Sequence, residues 1–238
     1  MSMQGETMMK KTLQEGLHQL GLELSDAVCD QLCAFGAAVV KQNEVMNLTA
    51  ITEDAQVAKL HLLDSLTVLK TGDFSGKNLI DVGCGAGFPG VPIAIACPDA
   101  KVTLLDSLGK RVKWLEEILP QLGISARCIT GRAEEVVLTC RESFDFATSR
   151  AVARLNILLE LTAPYVKVGG AVLAMKGAAA REELAECAGA IKKLGLKLES
   201  VQEFPIDGTN HAVIVLRKIA PTPKAYPRRY AKIKQSPL

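Results

Sequence analysis

The chain has 238 residues, of which 48% are hydrophobic and 23% charged; this is typical of a globular protein and excludes a largely disordered one. Aromatic residues make up only 4%, so an aromatic-rich binding cage is not expected. The formal net charge of +2 is unevenly distributed, because residues 208–238 contain seven basic residues and no acidic one. The sequence therefore predicts an acidic body that ends in a basic tail.

The cysteine pattern indicates a reducing compartment. Seven cysteines form no Cys-x-x-Cys pair, and their odd number in a chain of this length argues against a disulfide framework. They are expected to be reduced and mostly buried thiols, and no metal site is expected. Residues 1–11 lack the apolar stretch of a secretion signal, and the uncharged run 82–98 carries four glycines and three prolines, unlike a membrane span. We therefore expect a cytoplasmic protein without a membrane segment.

Residues 1–71 follow a helical pattern. Apolar residues recur at helical spacing before Gly21, which is placed to end the first helix. Ser25 suits the start of a second helix, and a third amphipathic segment is predicted over residues 53–70. The first part of the chain is therefore predicted to be a helical N-terminal extension.

From residue 72 the pattern changes to short apolar runs that alternate with helical stretches, which is typical of an α/β fold with a parallel sheet. The predicted strands are, in chain order, 78–82, 101–106, 126–130, 144–148, 171–175, 197–203 and 211–217. Too few residues separate the last two for a crossover helix, so they are expected to pair antiparallel. The sequence thus predicts an α/β domain over residues 72–219. Prolines beyond Ile219 predict a tail without regular structure at residues 220–238.

A glycine-rich turn follows the first predicted strand. Gly83, Gly85 and Gly87 allow positive φ angles and let a ligand approach the backbone, and Pro89 suits the first turn of the helix that follows. An ordinary strand-to-helix turn rarely needs so many glycines, so the pattern favours a cofactor loop. The loop alone does not name the cofactor, because Gly85-x-Gly87-x-x-Gly90 also fits the dinucleotide fingerprint.

Two acidic residues favour one cofactor. Asp81 ends the first predicted strand, where a carboxylate can hold a cationic or amino-bearing ligand. S-adenosylmethionine carries both groups, whereas a diphosphate would bring negative charge beside Asp81. Asp106 ends the second predicted strand and can accept hydrogen bonds from ribose hydroxyls of either cofactor, or it can cap a helix. S-adenosylmethionine is therefore favoured, and a nicotinamide dinucleotide is the alternative.

These residues belong to short motifs that span nearly the whole chain. The motifs are Asn-Leu-Thr at 47–49, His-Leu-Leu-Asp-Ser at 61–65, the glycine loop through 90, Leu-Asp-Ser-Leu-Gly-Lys-Arg at 105–111, Arg-Ala-Glu at 132–134, Ser-Arg-Ala-Val-Ala at 149–153 and Lys-Gly at 176–177. In content, order and spacing the chain resembles the RsmG (GidB) methyltransferases, which modify guanine N7 in small-subunit ribosomal RNA. The glycine loop alone would indicate only a methyltransferase-like protein, but the 105–111 and 149–153 motifs are typical of this family.

The resemblance implies a class I methyltransferase fold, with a Rossmann-like, mostly parallel sheet and an antiparallel last strand, and S-adenosylmethionine as methyl donor. It implies donor contacts at Gly83, Phe88, Ala133, Glu134 and Arg150, with Ala133 and Glu134 beside the adenine. On the chemistry described above, Asp81, Gly85, Gly87 and Asp106 are also expected to bind the cofactor.

The residues at the end of the fourth predicted strand restrict the chemistry. Ser149-Arg150-Ala151 stands where exocyclic-amine methyltransferases place an Asn/Asp-Pro-Pro-Tyr/Phe motif, and no cysteine follows a proline, as pyrimidine C5 methylation usually needs. Guanine N7 has a free lone pair and no hydrogen, so it can attack without a general base. No acid–base residue is therefore assigned. Arg150 and Lys176 are expected to orient donor or RNA, and His61 is expected to be a core or boundary histidine.

RNA binding requires positive surface. The candidates are Lys110, Arg111, Lys113, Arg150, Arg154, Lys176, Arg181 and the basic residues of the tail. The tail combines these residues with Tyr226 and Tyr230, which suits RNA but also fits a flexible, solvated end. Deleting residues 221–238 is expected to weaken RNA binding and to leave donor affinity intact.

The predicted function is methyl transfer from S-adenosylmethionine to a guanine N7 of 16S ribosomal RNA, as naked RNA or in the small ribosomal subunit, by a monomer that uses no metal. Two alternatives stay open at this point. One is a nicotinamide-dependent oxidoreductase that uses the same glycine loop. The other is a non-catalytic RNA-binding protein with a vestigial donor pocket.

Overall fold

The structure is a computed structural model that describes residues 7–238. Residues 1–6, with which the predicted extension begins, lie outside this range. No helix within the described residues is long and apolar enough to cross a bilayer. All seven cysteines are free thiols; three are buried and four only partly, so the expectation that most are buried was wrong. The four partly buried cysteines pack at the rim of the hydrophobic core.

The first helix ends, and the second begins, where the sequence predicted. Helix α1 spans Met8–Leu20 and ends at Gly21, whose φ of 62° closes the helix in the left-handed region. Helix α2 spans Asp26–Met46, and the Ser25 hydroxyl accepts a hydrogen bond from an amide of its first turn. The predicted stop at Gly21 and start at Ser25 are confirmed.

The third predicted helical segment is a nearly continuous run of changing helical type. It comprises α3 (Asp54–Val57), a π-helical turn (Ala58–Leu63), α4 (Asp64–Leu66) and a 3₁₀ turn (Thr67–Thr71). Wide π turns inside helices are frequent at functional sites, because they re-aim side chains. Here the π turn carries His61 and leads directly into Asp64, and both side chains reach the sheet.

In the part of the chain that the structure describes, seven strands form one sheet. They are β1 (Asn78–Val82), β2 (Lys101–Asp106), β3 (Arg127–Thr130), β4 (Phe144–Arg150), β5 (Val166–Lys176), β6 (Leu196–Ile206) and β7 (Thr209–Lys218). Their order is β3-β2-β1-β4-β5-β7-β6, with β7 antiparallel to both of its neighbours and the other pairs parallel. The mostly parallel sheet and the antiparallel β6–β7 pair are confirmed.

Helices cover both faces of the sheet. The remaining helices of the α/β part are α5 (Gly90–Ala96), α6 (Gly109–Gln121), α7 (Ala133–Cys140), α8 (Leu155–Thr162), α9 (Ala180–Ala185) and α10 (Ala188–Lys193). Alternate strand residues enter opposite cores: Leu79 joins the core that contains α1 and α2, whereas Ile80 joins the core that contains α8. The N-terminal helices thus share a hydrophobic core with the sheet. The boundary at residue 72 stays a prediction, based on the change in sequence pattern.

The C-terminal segment, residues 220–238, corrects the prediction of a tail without regular structure. It contains helix α11 (Tyr230–Gln235), in which Ile233 is fully buried. The Arg141 guanidinium donates hydrogen bonds to the carbonyls of Thr222 and Tyr226, which fixes the preceding coil on the body. The prediction failed because the prolines that preclude a helix at 221–227 do not occur within α11.

Candidate functional site

A cavity of about 500 Å³ lies at the carboxyl edge of the parallel strands. In open α/β sheets this edge is where ligands bind, because the loops after neighbouring strands converge there. We call it the edge cavity. Its lining includes Gly83 and Gly85 after β1, Asp106 at the end of β2, Ala133 and Glu134 after β3, Arg150 at the end of β4 and Val152 after it, and Phe88 and Tyr230.

The glycine loop forms the floor of the edge cavity. Gly83 has a φ of 76°, and its amide donates a hydrogen bond to the Leu105 carbonyl, which ties β1 to β2. A Cβ on Gly83 would lie 2.4 Å from Val152 Cγ2, so a side chain there would narrow the cavity. At Gly85, with a φ of 57°, a Cβ would lie 3.8 Å from Arg111 Nη1, which is an ordinary contact. Both glycines line the cavity, and their contact with a cofactor stays a prediction.

Gly87 lies elsewhere. Its φ is 99°, and a Cβ there would lie 3.0 Å from the Phe35 ring and 3.1 Å from Leu115 Cδ2. Gly87 is not among the residues that line the edge cavity. The structure therefore gives this glycine a packing role against α2, and its predicted cofactor contact is not supported by its position.

Asp106 is part of the cavity wall. Its Oδ2 accepts a hydrogen bond from the Gly85 amide at 2.9 Å, and its Oδ1 accepts one from the Leu108 amide at 2.8 Å. Each carboxylate oxygen has a second lone pair, so both can also accept from a vicinal diol. Asp106 thus holds the glycine loop in place and presents acceptor oxygens to the cavity.

Asp81 is fully buried beneath the loop and does not line the edge cavity. Its Oδ2 accepts a hydrogen bond from the Gly90 amide at 2.8 Å, whereas its Oδ1 has no partner among the described residues. Burial raises the pKa of Asp81 to about 7. The direct ligand contact inferred from the sequence stays a prediction, and the structure places the carboxylate one layer below the cavity surface.

Replacing Asp81 with Asn is expected to remove a pH-dependent loss of stability. Because its pKa of about 7 in the folded protein exceeds the ordinary 3.8, the folded protein holds a proton that the unfolded chain loses. Asp81 therefore makes the protein less stable as pH rises from about 4 to about 7. Urea denaturation should show Asp81→Asn gaining stability relative to the unaltered chain across this range. A difference that does not vary with pH would contradict the assignment.

The segment after β3 forms the outer end of the edge cavity. Arg132 Nε lies 2.7 Å from Glu134 Oε1, and the Arg132 guanidinium lies 5.0 Å from the centre of the Tyr230 ring. The Tyr165 hydroxyl donates a hydrogen bond to the Ala133 carbonyl, which fixes the first turn of α7. Ala133 and Glu134 therefore line the cavity at the end of the sheet formed by β3, and their contact with an adenine stays a prediction.

Arg150 is the centre of a polar network at the opposite end. Its Nη1 lies 2.6 Å from Asp64 Oδ2 and 2.9 Å from the Leu60 carbonyl, and its guanidinium lies 5.2 Å from the centre of the Phe88 ring. His211 Nδ1 lies 2.8 Å from the other oxygen of Asp64. Burial raises the pKa of Asp64, but hydrogen bonds from His211 and Arg150 outweigh it and hold that pKa below its ordinary value.

His61 is partly buried, at the boundary of the core, as the sequence predicted. It also lines the edge cavity and stacks on Phe88, with ring centres 4.8 Å apart. Its Nε2 lies 2.7 Å from Thr49 Oγ1. Burial, together with the nearby Arg150, lowers the pKa of His61 to about 4, so the ring is neutral at pH 7.

The signal for these residues was present in the sequence. Thr49, His61, Asp64 and Arg150 come from the motifs at 47–49, 61–65 and 149–153 that carry the family resemblance. No role for Thr49, Asp64 or His211 could be predicted from the sequence, because their proximity arises only when the N-terminal helices pack on the sheet.

Lys176 lies in a second cavity of about 690 Å³, which we call the adjoining cavity. Its Nζ lies 2.8 Å from Glu183 Oε2 and donates a hydrogen bond to the Ala153 carbonyl. The two cavities share His61, Arg150, Ala151 and Val152 in their walls. Arg150 and Lys176 are thus brought together in the adjoining cavity, and Lys176 does not line the edge cavity. Within residues 7–238, no three His, Cys, Asp or Glu side chains are grouped to hold a metal ion.

Solved structures share the fold at low sequence identity. The YcgJ protein from Bacillus subtilis has a TM-score of 0.53 and 14% identity, covering 66% of this chain and 99% of that one. The M. jannaschii TYW2 structure in complex with AdoMet has a TM-score of 0.53 and 15% identity, covering 66% and 77% respectively. The class I methyltransferase fold expected from the sequence is confirmed.

The sequence comparisons are more specific. The model of the GidB family, described as rRNA small subunit methyltransferase G, matches residues 28–212. A relative from Clostridium beijerinckii with the name Ribosomal RNA small subunit methyltransferase G is 43% identical over 95% of this chain and 97% of its own. A relative of the same name from Alkaliphilus metalliredigens is 40% identical over 96% and 98%. The match favours methyl transfer over the nicotinamide alternative, and the chain belongs to the GidB family of small-subunit ribosomal RNA methyltransferases.

Proposed function

We propose that this chain transfers a methyl group from S-adenosylmethionine to N7 of a guanine in 16S ribosomal RNA. The observation that carries the proposal is the pair of cavities that meet at Arg150, at the carboxyl edge of a class I methyltransferase sheet. The edge cavity is proposed to take the donor. The adjoining cavity is proposed to take the acceptor base, since a transfer in line needs the two ligands in contact.

The residues of the edge cavity fit the donor. Gly83 and Gly85 leave room for a ligand against the backbone, and Asp106 offers acceptor oxygens for the ribose diol. The buried Asp81 has one oxygen without a partner among the described residues. A positive charge above the loop lowers the pKa of a buried acid, so Asp81 supplies a carboxylate when a cationic ligand binds. Ala133 and Glu134 border the adenine, and Arg150 and Phe88 border the other end of the cavity.

The bound donor supplies an electrophilic methyl group on a sulfonium. Guanine N7 already carries a lone pair, so the protein has no proton to remove and mainly orients the reactants, which lowers a barrier by roughly 7–11 kcal/mol. His61 is neutral at pH 7 and is held by Thr49 and by the Phe88 ring. Arg150 and Lys176 orient the acceptor from the wall of the adjoining cavity, and neither acts as an acid or base.

RNA reaches the site over exposed basic side chains near the cavities. Arg154 lines the adjoining cavity with its side chain about half exposed, and Lys113 on α6 is 77% exposed. Lysines of α11 lie on the segment that carries Tyr230 into the edge cavity. Such contacts to phosphates give affinity that falls with salt. A cytoplasmic location and a monomeric state remain predictions.

The direct test is methylation of ribosomal RNA from a strain that lacks the enzyme, with methyl-labelled donor and mapping of the product. We expect label at N7 of one guanine in 16S RNA, offered either naked or in assembled small subunits. RNA from the parent strain, which is already modified, is the matched control and should take up little label. Label on an exocyclic amine or a ring carbon, or RNA binding without transfer, would refute the proposal.

A further inference from the structure

The C-terminal segment reaches the edge cavity from the far side of the molecule. It leaves β7 at Lys218, crosses the body, and ends in α11, whose first residue, Tyr230, lines the edge cavity. From the sequence, this segment is expected to bind RNA and to leave donor affinity unaffected. Tyr230 and Glu134 both line the edge cavity, which favours a contribution of the segment to the donor site.

Two buried contacts hold Tyr230 in place, one before it in the chain and one after it. Before it, Arg228 pairs with Glu160 of α8: Oε1 of this fully buried carboxylate accepts from the Arg228 amide at 2.8 Å, and Oε2 lies 2.6 Å from Nη2. After it, the Ile233 side chain is fully buried. A segment held at both ends has little freedom, so the Tyr230 ring is already in place before a ligand binds.

The order of the strands indicates which end of the donor would lie near Tyr230. The cavity runs across the sheet from the end of β4, past β1 and β2, to the end of β3 at the sheet edge. The proposed ribose acceptor, Asp106, is at the end of β2. A nucleoside whose ribose binds there, with its sulfonium arm toward β1 and β4, places its base at the β3 end. Tyr230, Arg132 and Glu134 form that end.

We infer that Tyr230 binds the adenosine half of the methyl donor, so that the C-terminal segment is a wall of the donor site. The inference rests on the proposed function, because it takes the ligand of the edge cavity to be S-adenosylmethionine. The ring offers an aromatic surface to the base, and the Arg132 guanidinium 5.0 Å from the ring centre keeps the ring in position.

The test is calorimetric titration of Tyr230→Ala with S-adenosylmethionine and, separately, with adenosine. We expect affinity for both to fall by about tenfold, the loss of one contact between a base and an aromatic ring. Tyr230→Phe should retain affinity within about threefold, since the ring is kept. Gln235→Ala, on the same helix and exposed, is the matched control and should bind both ligands normally.

The readouts separate the possible failures. Thermal melting of Tyr230→Ala should match that of the unaltered protein, because Tyr230 is only partly buried and Ile233 still anchors the helix. If the unaltered protein binds donor and Tyr230→Ala binds both ligands equally well, the inference is wrong and the proposed function stands. If Tyr230→Ala loses affinity for S-adenosylmethionine but not for adenosine, the placement of Tyr230 at the adenosine end is also wrong. No donor binding by the unaltered protein would refute the proposed function itself.

Discussion

Replacing Arg228 with Ala is expected to lower the free energy of unfolding by about 3–5 kcal/mol, the usual cost of removing one partner of a buried ion pair. The reason is Glu160, which is fully buried and receives the Arg228 amide and guanidinium on its two oxygens. Without the guanidinium, the carboxylate stays in the core with only a backbone donor. Urea denaturation followed by circular dichroism would measure the loss.

Arg229→Ala is the matched control, because Arg229 is the neighbouring arginine and its side chain is exposed. Its stability should change by no more than about 0.5 kcal/mol. The double variant Glu160→Gln with Arg228→Ala tests the cause. The neutral side chain at position 160 can still accept a hydrogen bond from the backbone N–H of residue 228. This double variant should regain about 1–3 kcal/mol over Arg228→Ala alone. An equal loss in the two arginine variants would show that the C-terminal segment does not depend on this pair.

Replacing Gly83 with Ala is expected to reduce kcat/KM for methyl transfer at least about a hundredfold, because a shift of about 1 Å in bound reactants can have that effect. The new Cβ would lie 2.4 Å from Val152 Cγ2, between two residues of the cavity wall. The φ of 76° at this position also strains any L side chain. Steady-state kinetics and donor titration on the same preparation would measure the effect.

Gly76→Ala separates the effect of backbone strain from the effect of a side chain that obstructs the cavity. Gly76 has a φ of 67°, similar to that of Gly83, but a Cβ there has nothing within 4 Å. Both variants should lose roughly 1–2 kcal/mol of stability from the left-handed backbone. Only Gly83→Ala should lose donor binding. If both variants keep full activity, the glycine loop is not the floor of the donor site.

The regular part of the fold could be predicted because its causes are local. The strands at 78–82 and 101–106 were predicted with the bounds that the structure shows. Buried parallel strands are short apolar runs, and the helices between them repeat with a different period. By contrast, β5 begins at Val166 rather than at 171. Gly169 and Gly170 give a weak strand signal there, and the pairing of β5 with β4 is irregular between Val166 and Ala171.

Roles that depend on the direction in which a residue faces in the folded protein could not be predicted in the same way. The spacing of Gly83, Gly85 and Gly87 gives no indication that the third glycine packs against α2 while the first two face the cavity. Likewise, Asp81 ends its strand as expected, but whether its carboxylate lies at the cavity surface or beneath the loop depends on the position of Gly90.

By itself, the sequence determined the α/β class, the order of the strands along the chain and the glycine loop, because these follow from hydrophobic period and from the backbone freedom of glycine. Its motifs were also sufficient to indicate the family. Only the tertiary structure decided that Asp64, Arg150 and His211 form one network and that Tyr230 belongs to the edge cavity. These residues come from separate elements, and their contacts exist only after the N-terminal helices and the C-terminal segment have packed on the sheet.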